Sequence, residues 1–215
     1  MTFNLPNRSV PEFIGMRGVV RFSPAQFLEF DEADTLEPHA RYELLDGYIV
    51  HRLYHTPPHA STQNKLTEML LSFKFQGFSV QSGRPLVLLE SVPLPDLCIL
   101  RMESKFDYDH RHPGAEDCEI AIDIYPEPEE LGRTTKLAIY SRNKVPVYWI
   151  VNLADRCVEV HQVPNGTEAK PKYKTRKVFK EGQSVPVVLG GLKVGAVAVS
   201  EILPRPRKSS PSARR

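Results

Sequence analysis

CEIAIDIY, residues 118–125, is the stretch on which the fold turns. Ile120, Ile122 and Ile124 recur at every second position, the period of a β-strand with one face in a core. If those three isoleucines share one face, Asp123 lies on the other with Ala121 and Tyr125. A loop of proline and glutamate (PEPEE) follows, and then a helix is predicted from about Leu131 to Asn143. VPVYWIVNL, ending at Leu153, reads as a buried strand. A strand–helix–strand unit inside a strand-rich chain argues for a mixed α/β sheet.

Working outward, LPDLCILR is expected to be a strand alternating around Leu97 and Ile99, preceded by two more, FSVQSG and PLVLLE. The polar run from Phe106 to Gly114 reads as a surface loop. Further upstream, residues 59–75 (HASTQNKLTEMLLSFKF) space Leu66, Met69, Leu70 and Phe73 as one face of a helix, with Gly77 as its stop. Asp46-Gly47 between two β-prone runs predicts a hairpin with strands at 41–45 and 48–53. Ser23-Pro24 suits the cap and first turn of another helix. Downstream, RCVEVHQV is a further strand. The segment from Tyr173 to Val194 is another hairpin segment with Gly190-Gly191 as a turn, and Ala198 to Leu203 a short helical end.

The chain has 215 residues, which suits one domain with trimmings. We assign residues 1–22 to an N-terminal arm, 23–203 to the domain and 204–215 to a tail. The tail, PRPRKSSPSARR, carries five positive charges and no apolar residue able to form a core, so it is expected to be disordered. It either solubilises the chain or makes salt-sensitive contacts with nucleic-acid phosphates. Apolar residues make up 41% and charged residues 25%, as in soluble globular proteins, and no apolar run approaches the ~20 residues of a membrane span. Cys98, Cys118 and Cys157 are odd in number and lack a CxxC pair. They read as small core residues in a reducing compartment, and the expected location is the cytoplasm.

Asp96, Asp123 and Lys136 are the residues best placed for chemistry. Asp96 opens an apolar strand after Pro95, and Asp123 interrupts an isoleucine strand, where a carboxylate is costly unless it is paired or binds a cation. Lys136 falls one loop later, on a helix able to return over the same sheet end. Two carboxylates drawn together favour a hard divalent cation, and a lysine beside them can orient water and stabilise charge on a phosphodiester. Each residue also has a plain reading. Asp96 could serve a turn, Asp123 could face solvent from a strand, and Lys136 could be a solvated helix residue.

Beyond these residues, an ordered set of segments resembles the Uma-two family of the PD-(D/E)xK nuclease superfamily. The segments are YELLDGYIV (42–50), PPHA and its helix (57–73), LPDLCILR (94–101), IAIDIY with KLAIYSRNKV (120–145), and VYWIVNL (147–153). The resemblance implies a restriction-endonuclease-like core and Mg²⁺- or Mn²⁺-dependent hydrolysis of DNA, with a homodimer as the working form. Asp96 takes the place of the family's Pro-Asp aspartate, and Asp123 that of its strand glutamate, one methylene shorter. Lys136 and Tyr140 match the K-x-x-x-Y helix, and Glu43 matches an accessory acid. The implied catalytic set is Asp96, Asp123, Lys136 and Glu43, with Asp96, Asp123 and Glu43 toward the metal. His59 matches a family histidine without an assigned role. The chain departs from the family at Tyr125-Pro126, at Gly132-Arg133 and in the acidic loop of Glu127, Glu129 and Glu130.

Other features carry other readings. Asp109, His110 and His112 form either a polar loop or the metal site of a different hydrolase. Tyr148 and Trp149 read as core residues rather than base-stacking ones. Arg84, Arg101 and Arg111 are free to contact phosphates, although nothing in the sequence places them on one face. The same scaffold could also serve as a nucleic-acid-binding or assembly protein without turnover.

Overall fold

A computed structural model describes residues 20–33, 36, 41–52, 56–102, 108–126 and 130–205. Most of the expected arm, the tail beyond Arg205, and Glu127 and Glu129 lie outside these residues. The first helix, α1 (Pro24–Glu32), is capped as the sequence suggests. Ser23 Oγ accepts from the Gln26 amide at 3.3 Å while Gln26 Oε1 accepts from the Ser23 amide at 3.0 Å, a reciprocal capping box. The hairpin of β1 (Arg41–Leu45) and β2 (Tyr48–Arg52) turns at Asp46 and Gly47, whose φ angles are 50° and 81°. Positive φ at both positions matches the twist of the flanking strands, and Asp-Gly supplies it cheaply.

Helix α2 (Pro57–Ser72) starts two residues before the expected His59 and ends before Phe75. Pro57 and Pro58 fit a first turn that needs no amide donors, and Lys74 takes a left-handed φ of 48° that ends the helical path. Strands β3 (Phe78–Ser82), β4 (Leu97–Arg101), β5 (Cys118–Tyr125), β6 (Val147–Asn152), β7 (Cys157–Thr167) and β8 (Lys170–Lys180) form one sheet in that order. Only β5 and β6 run parallel, joined by α3 (Glu130–Arg142); the other neighbours are antiparallel.

PLVLLE does not form the expected strand. Val87 makes only an isolated bridge to Gly114, and the Leu86 and Leu88 amides close a tight loop onto the Pro93 and Ser91 carbonyls. Pro85, Pro93 and Pro95 cannot donate to a ladder, which keeps this segment from joining the sheet. The segment from Tyr173 to Val194 divides as well. Its first part is β8, paired with β7. Its second part, β9 (Ser184–Leu189), forms a separate hairpin with β10 (Leu192–Ala198) across Gly190-Gly191.

Side chains of β5 alternate between two cores, which is why every residue of that strand is buried. Ile120, Ile122 and Ile124 join Trp149, Val158 and Val160 under α2, the β9–β10 hairpin and the short α4 (Val199–Ile202). Ala121 and Tyr125 join Cys98, Cys118, Tyr148 and Ile150 under α3, through Ile139 and Tyr140. The sheet is thus covered on both faces, a mixed β-sheet flanked by helices as the strand–helix–strand unit implied. No helix among the described residues is long and apolar enough to cross a membrane.

Candidate functional site

Asp123 projects from the face of β5 that α3 covers, and it is 2% exposed. The solvent-facing alternative for this residue therefore fails. Asp96 sits just ahead of β4, where the β4–β5 pairing carries it toward Asp123, and it is fully buried. Nearly two turns into α3, Lys136 reaches down to the sheet. Its ammonium donates to Glu43 Oε1 at 2.7 Å and to Asp123 Oδ1 at 3.0 Å, and it too is buried. Glu43 arrives from β1, fixed by the Leu94 amide at 2.7 Å. Four segments of the chain thus bring Asp96, Asp123, Lys136 and Glu43 into one buried cluster.

Residues that sequence reasoning left out, or left without a role, complete it. Arg52, the last residue of β2, donates from Nη2 to Asp96 Oδ1 at 2.5 Å and lies 3.9 Å from Asp123 Oδ1. Its Nη1 donates to the Leu94 carbonyl. His59, on the first turn of α2, places Nε2 3.0 Å from Asp96 Oδ2, which also accepts from the Ile124 amide at 2.8 Å. Tyr148 and Tyr140 donate to Asp123 Oδ2 at 3.1 and 3.4 Å. The one available signal for Arg52 was a charge deficit: three acids gathered around one lysine call for a second cation. Nothing in the sequence said which of the chain's basic residues would supply it.

Burial and partners set the charge states. Burial pushes the Asp96 carboxyl up, but the His59 hydrogen bond, the Arg52 charge and the Ile124 amide together hold it down at about 2. At Asp123 burial prevails and, with Asp96 close by, raises the carboxyl above its ordinary range against the pull of Lys136. Lys136 is lowered by burial and raised further by Asp123 and Glu43, so it stays protonated. Arg52 follows the same pattern, with Asp96, Asp123 and Glu43 outweighing its burial.

A further buried acid lies in register with this site. Asp123 pairs with Ile150 and Ile150 with Glu159, so Glu159 occupies the same row two strands away. It accepts from Arg133 and, at 2.9 Å, from Arg176 Nε, with His161 Nε2 3.4 Å away. Arg133 stands at one of the chain's departures from the family pattern, and here it forms an ion pair with Glu159.

The remaining candidates do not join the cluster. His110 and His112 are exposed, and among the described residues no three or more His, Cys, Asp or Glu side chains gather closely enough to hold a metal ion. Arg101 pairs with Glu119 and Arg111 with Asp117, while Arg84 is exposed near β3. Trp149 is core, as expected; Tyr148 is buried too, with its hydroxyl given to Asp123.

Comparison with known proteins agrees with this architecture. A solved structure described as a putative nuclease belonging to DUF820, from Anabaena variabilis, superposes with a TM-score of 0.62 at 14% identity, covering 80% of this chain and 96% of that one. At that identity the likeness speaks for the fold. No curated protein matches by sequence. The family model described as "Uma2: Putative restriction endonuclease" matches residues 24–199, which takes in every element from α1 to β10 and every residue of the cluster, and so the chain belongs to that nuclease-like family.

Proposed function

We propose that this protein is a metal-dependent endonuclease that hydrolyses DNA phosphodiester bonds. One observation carries the reading: Asp96 and Asp123 turn carboxylate oxygens toward a single cationic atom, Arg52 Nη2, beside the buried ammonium of Lys136. Hard carboxylate oxygens converging on one positive centre are the donors that Mg²⁺ or Mn²⁺ prefers. Asp96 and Asp123 would hold the ion, with Glu43 as an outer acid beyond Lys136. Such an ion supplies a nucleophilic water at neutral pH and neutralises charge on the phosphoryl group.

The chain's own residues do the positioning. His59 and the Ile124 amide fix the Asp96 carboxylate, and Tyr148 with Tyr140 fixes that of Asp123. Lys136, anchored by two carboxylates, would direct a remaining N–H at the attacking water or at a non-bridging oxygen. Water adds to phosphorus, the bond to one ester oxygen breaks, and the departing oxygen takes up a proton. Duplex DNA offers two strands, so a homodimer in the cytoplasm is the proposed working form.

A second reading is a nucleic-acid-binding or assembly protein that does not turn over. The internal pairing favours it, because Arg52 and Lys136 already neutralise much of the acidic charge. Incubating supercoiled plasmid with the protein and Mn²⁺ or Mg²⁺ separates the two. Metal-dependent nicking that Asp96→Ala, Asp123→Ala and Lys136→Ala each lose would support hydrolysis at this site. Cleavage that survives all three, or none at all, would sink it.

A further inference from the structure

The guanidinium of Arg52 stands where the proposed reading needs a divalent ion. It is 2.5 Å from Asp96 Oδ1 and 3.9 Å from Asp123 Oδ1, and its other terminal nitrogen is tied to the Leu94 carbonyl. Its side chain is 13% exposed, whereas those of Asp96 and Asp123 are 0% and 3% exposed, so of the three it is the one that reaches solvent most. A Mg²⁺ ion sits about 2.1 Å from its oxygen ligands. An ion shared by Asp96 Oδ1 and Asp123 Oδ1, on the side where Arg52 Nη2 lies, would overlap that nitrogen, which is already 2.5 Å from the first oxygen and 3.9 Å from the second. At that shared position the ion and the guanidinium exclude one another.

Charge points the same way. Counted by formal charge with His59 neutral, Glu43, Asp96 and Asp123 exceed the two cations touching them, Lys136 and Arg52, by a single charge. Arg41, held on the Gly83 carbonyl at 3.3 Å, lends further positive charge from outside the cluster. A dication entering with Arg52 in place would leave the cluster net positive. With Arg52 withdrawn, the same ion brings the three acids and Lys136 to neutrality.

We infer that Arg52 is an internal counter-cation that occupies the divalent-ion position between Asp96 and Asp123, so that metal loading requires its guanidinium to withdraw. This rests on the reading of that cluster as a metal site. Arg52 then sets how tightly the ion is held. It is a positioning residue for the two aspartates when no ion is present.

Calorimetric titration of the full chain with Mn²⁺ tests this directly, using wild type, Arg52→Met, Arg52→Lys and the double variant Arg52→Met/Asp96→Asn, each checked for folding by circular dichroism. Arg52→Met is expected to bind Mn²⁺ at least tenfold more tightly than wild type, and the double variant to lose that binding. Its metal-free melting temperature should fall below that of wild type and recover when Mn²⁺ is added. If Arg52→Met does not fold, Arg52→Lys replaces it, because a single ammonium cannot reproduce the tie to both Asp96 and Leu94; a several-fold gain is then expected. Equal or weaker Mn²⁺ binding after either substitution, with wild-type binding that depends on Asp96, overturns the role of Arg52 and leaves the metal site standing. If no folded variant shows binding that depends on Asp96, the metal site itself falls, and the inference with it.

Discussion

Lys136 holds two carboxylates with one ammonium, which fixes what its removal would do. Without it, Asp123 and Glu43 remain buried with less compensation, and breaking a buried pair from one side destabilises by about 3–5 kcal/mol. Lys136→Met is therefore expected to lower unfolding free energy by that order, read from urea denaturation. Adding Asp123→Asn should recover part of the loss, since the stranded charge is then gone. Acid should expose the other members of the network. Asp96 and Glu159 are both held at about 2, below their ordinary values of 3.8 and 4.5. A depressed carboxylate contributes stability that is present above its unfolded value and lost as pH falls toward the folded one. The urea midpoint should thus drop between about pH 4.5 and pH 2, and Asp96→Asn should flatten that slope. Asp123, raised by burial, acts with the opposite sign and relieves a penalty as it takes a proton. At this scale the sequence was readable where a residue broke its local pattern. An aspartate among alternating isoleucines and an aspartate after proline stand out, but Arg52 and Glu159 do not. Their importance comes from strands that meet only in three dimensions.

β5 was legible because both its faces are written in its own side chains, isoleucines for one core and Ala121 and Tyr125 for the other. PLVLLE was misread because leucine and valine report burial without reporting pairing. Leu86 and Leu88 are buried, yet the prolines around them deny the segment a ladder. Turns read well wherever a special backbone angle demanded a particular residue. Leu189 pairs directly with Leu192, so Gly190 and Gly191 form a two-residue loop with φ of 55° and 83°. Gly191→Ala puts a side chain into a conformation that L-residues avoid and should cost about 1–2 kcal/mol. A shifted urea midpoint with an unchanged slope would record it; an unaltered midpoint would mean the hairpin tolerates the strain.

Across the whole molecule, the order of the six strands leaves β3 and β8 as edges. β8 carries Lys170, Lys172, Lys174, Lys177 and Lys180, all exposed and with no acid among them. Lysines along an edge strand discourage another chain from adding to the sheet, which explains the charge of this element without a ligand. The overall net charge of +2 concealed that arrangement, because composition averages over surfaces that only the fold separates. Layer order shows the same limit. Helical spacing in residues 59–75 marked an apolar face, but its seat against the isoleucine side of β5, opposite α3, follows from the path of the chain.

Between them, Arg52 and Lys136 pair the buried acids from within the chain, and that has a practical side. Proteins that use an ion as a keystone come apart when a chelator removes it. Here the folded state carries its own ballast. Overnight dialysis of the wild-type chain against EDTA should leave its melting temperature unchanged, and a fall of several degrees would show that an ion had been holding the fold after all.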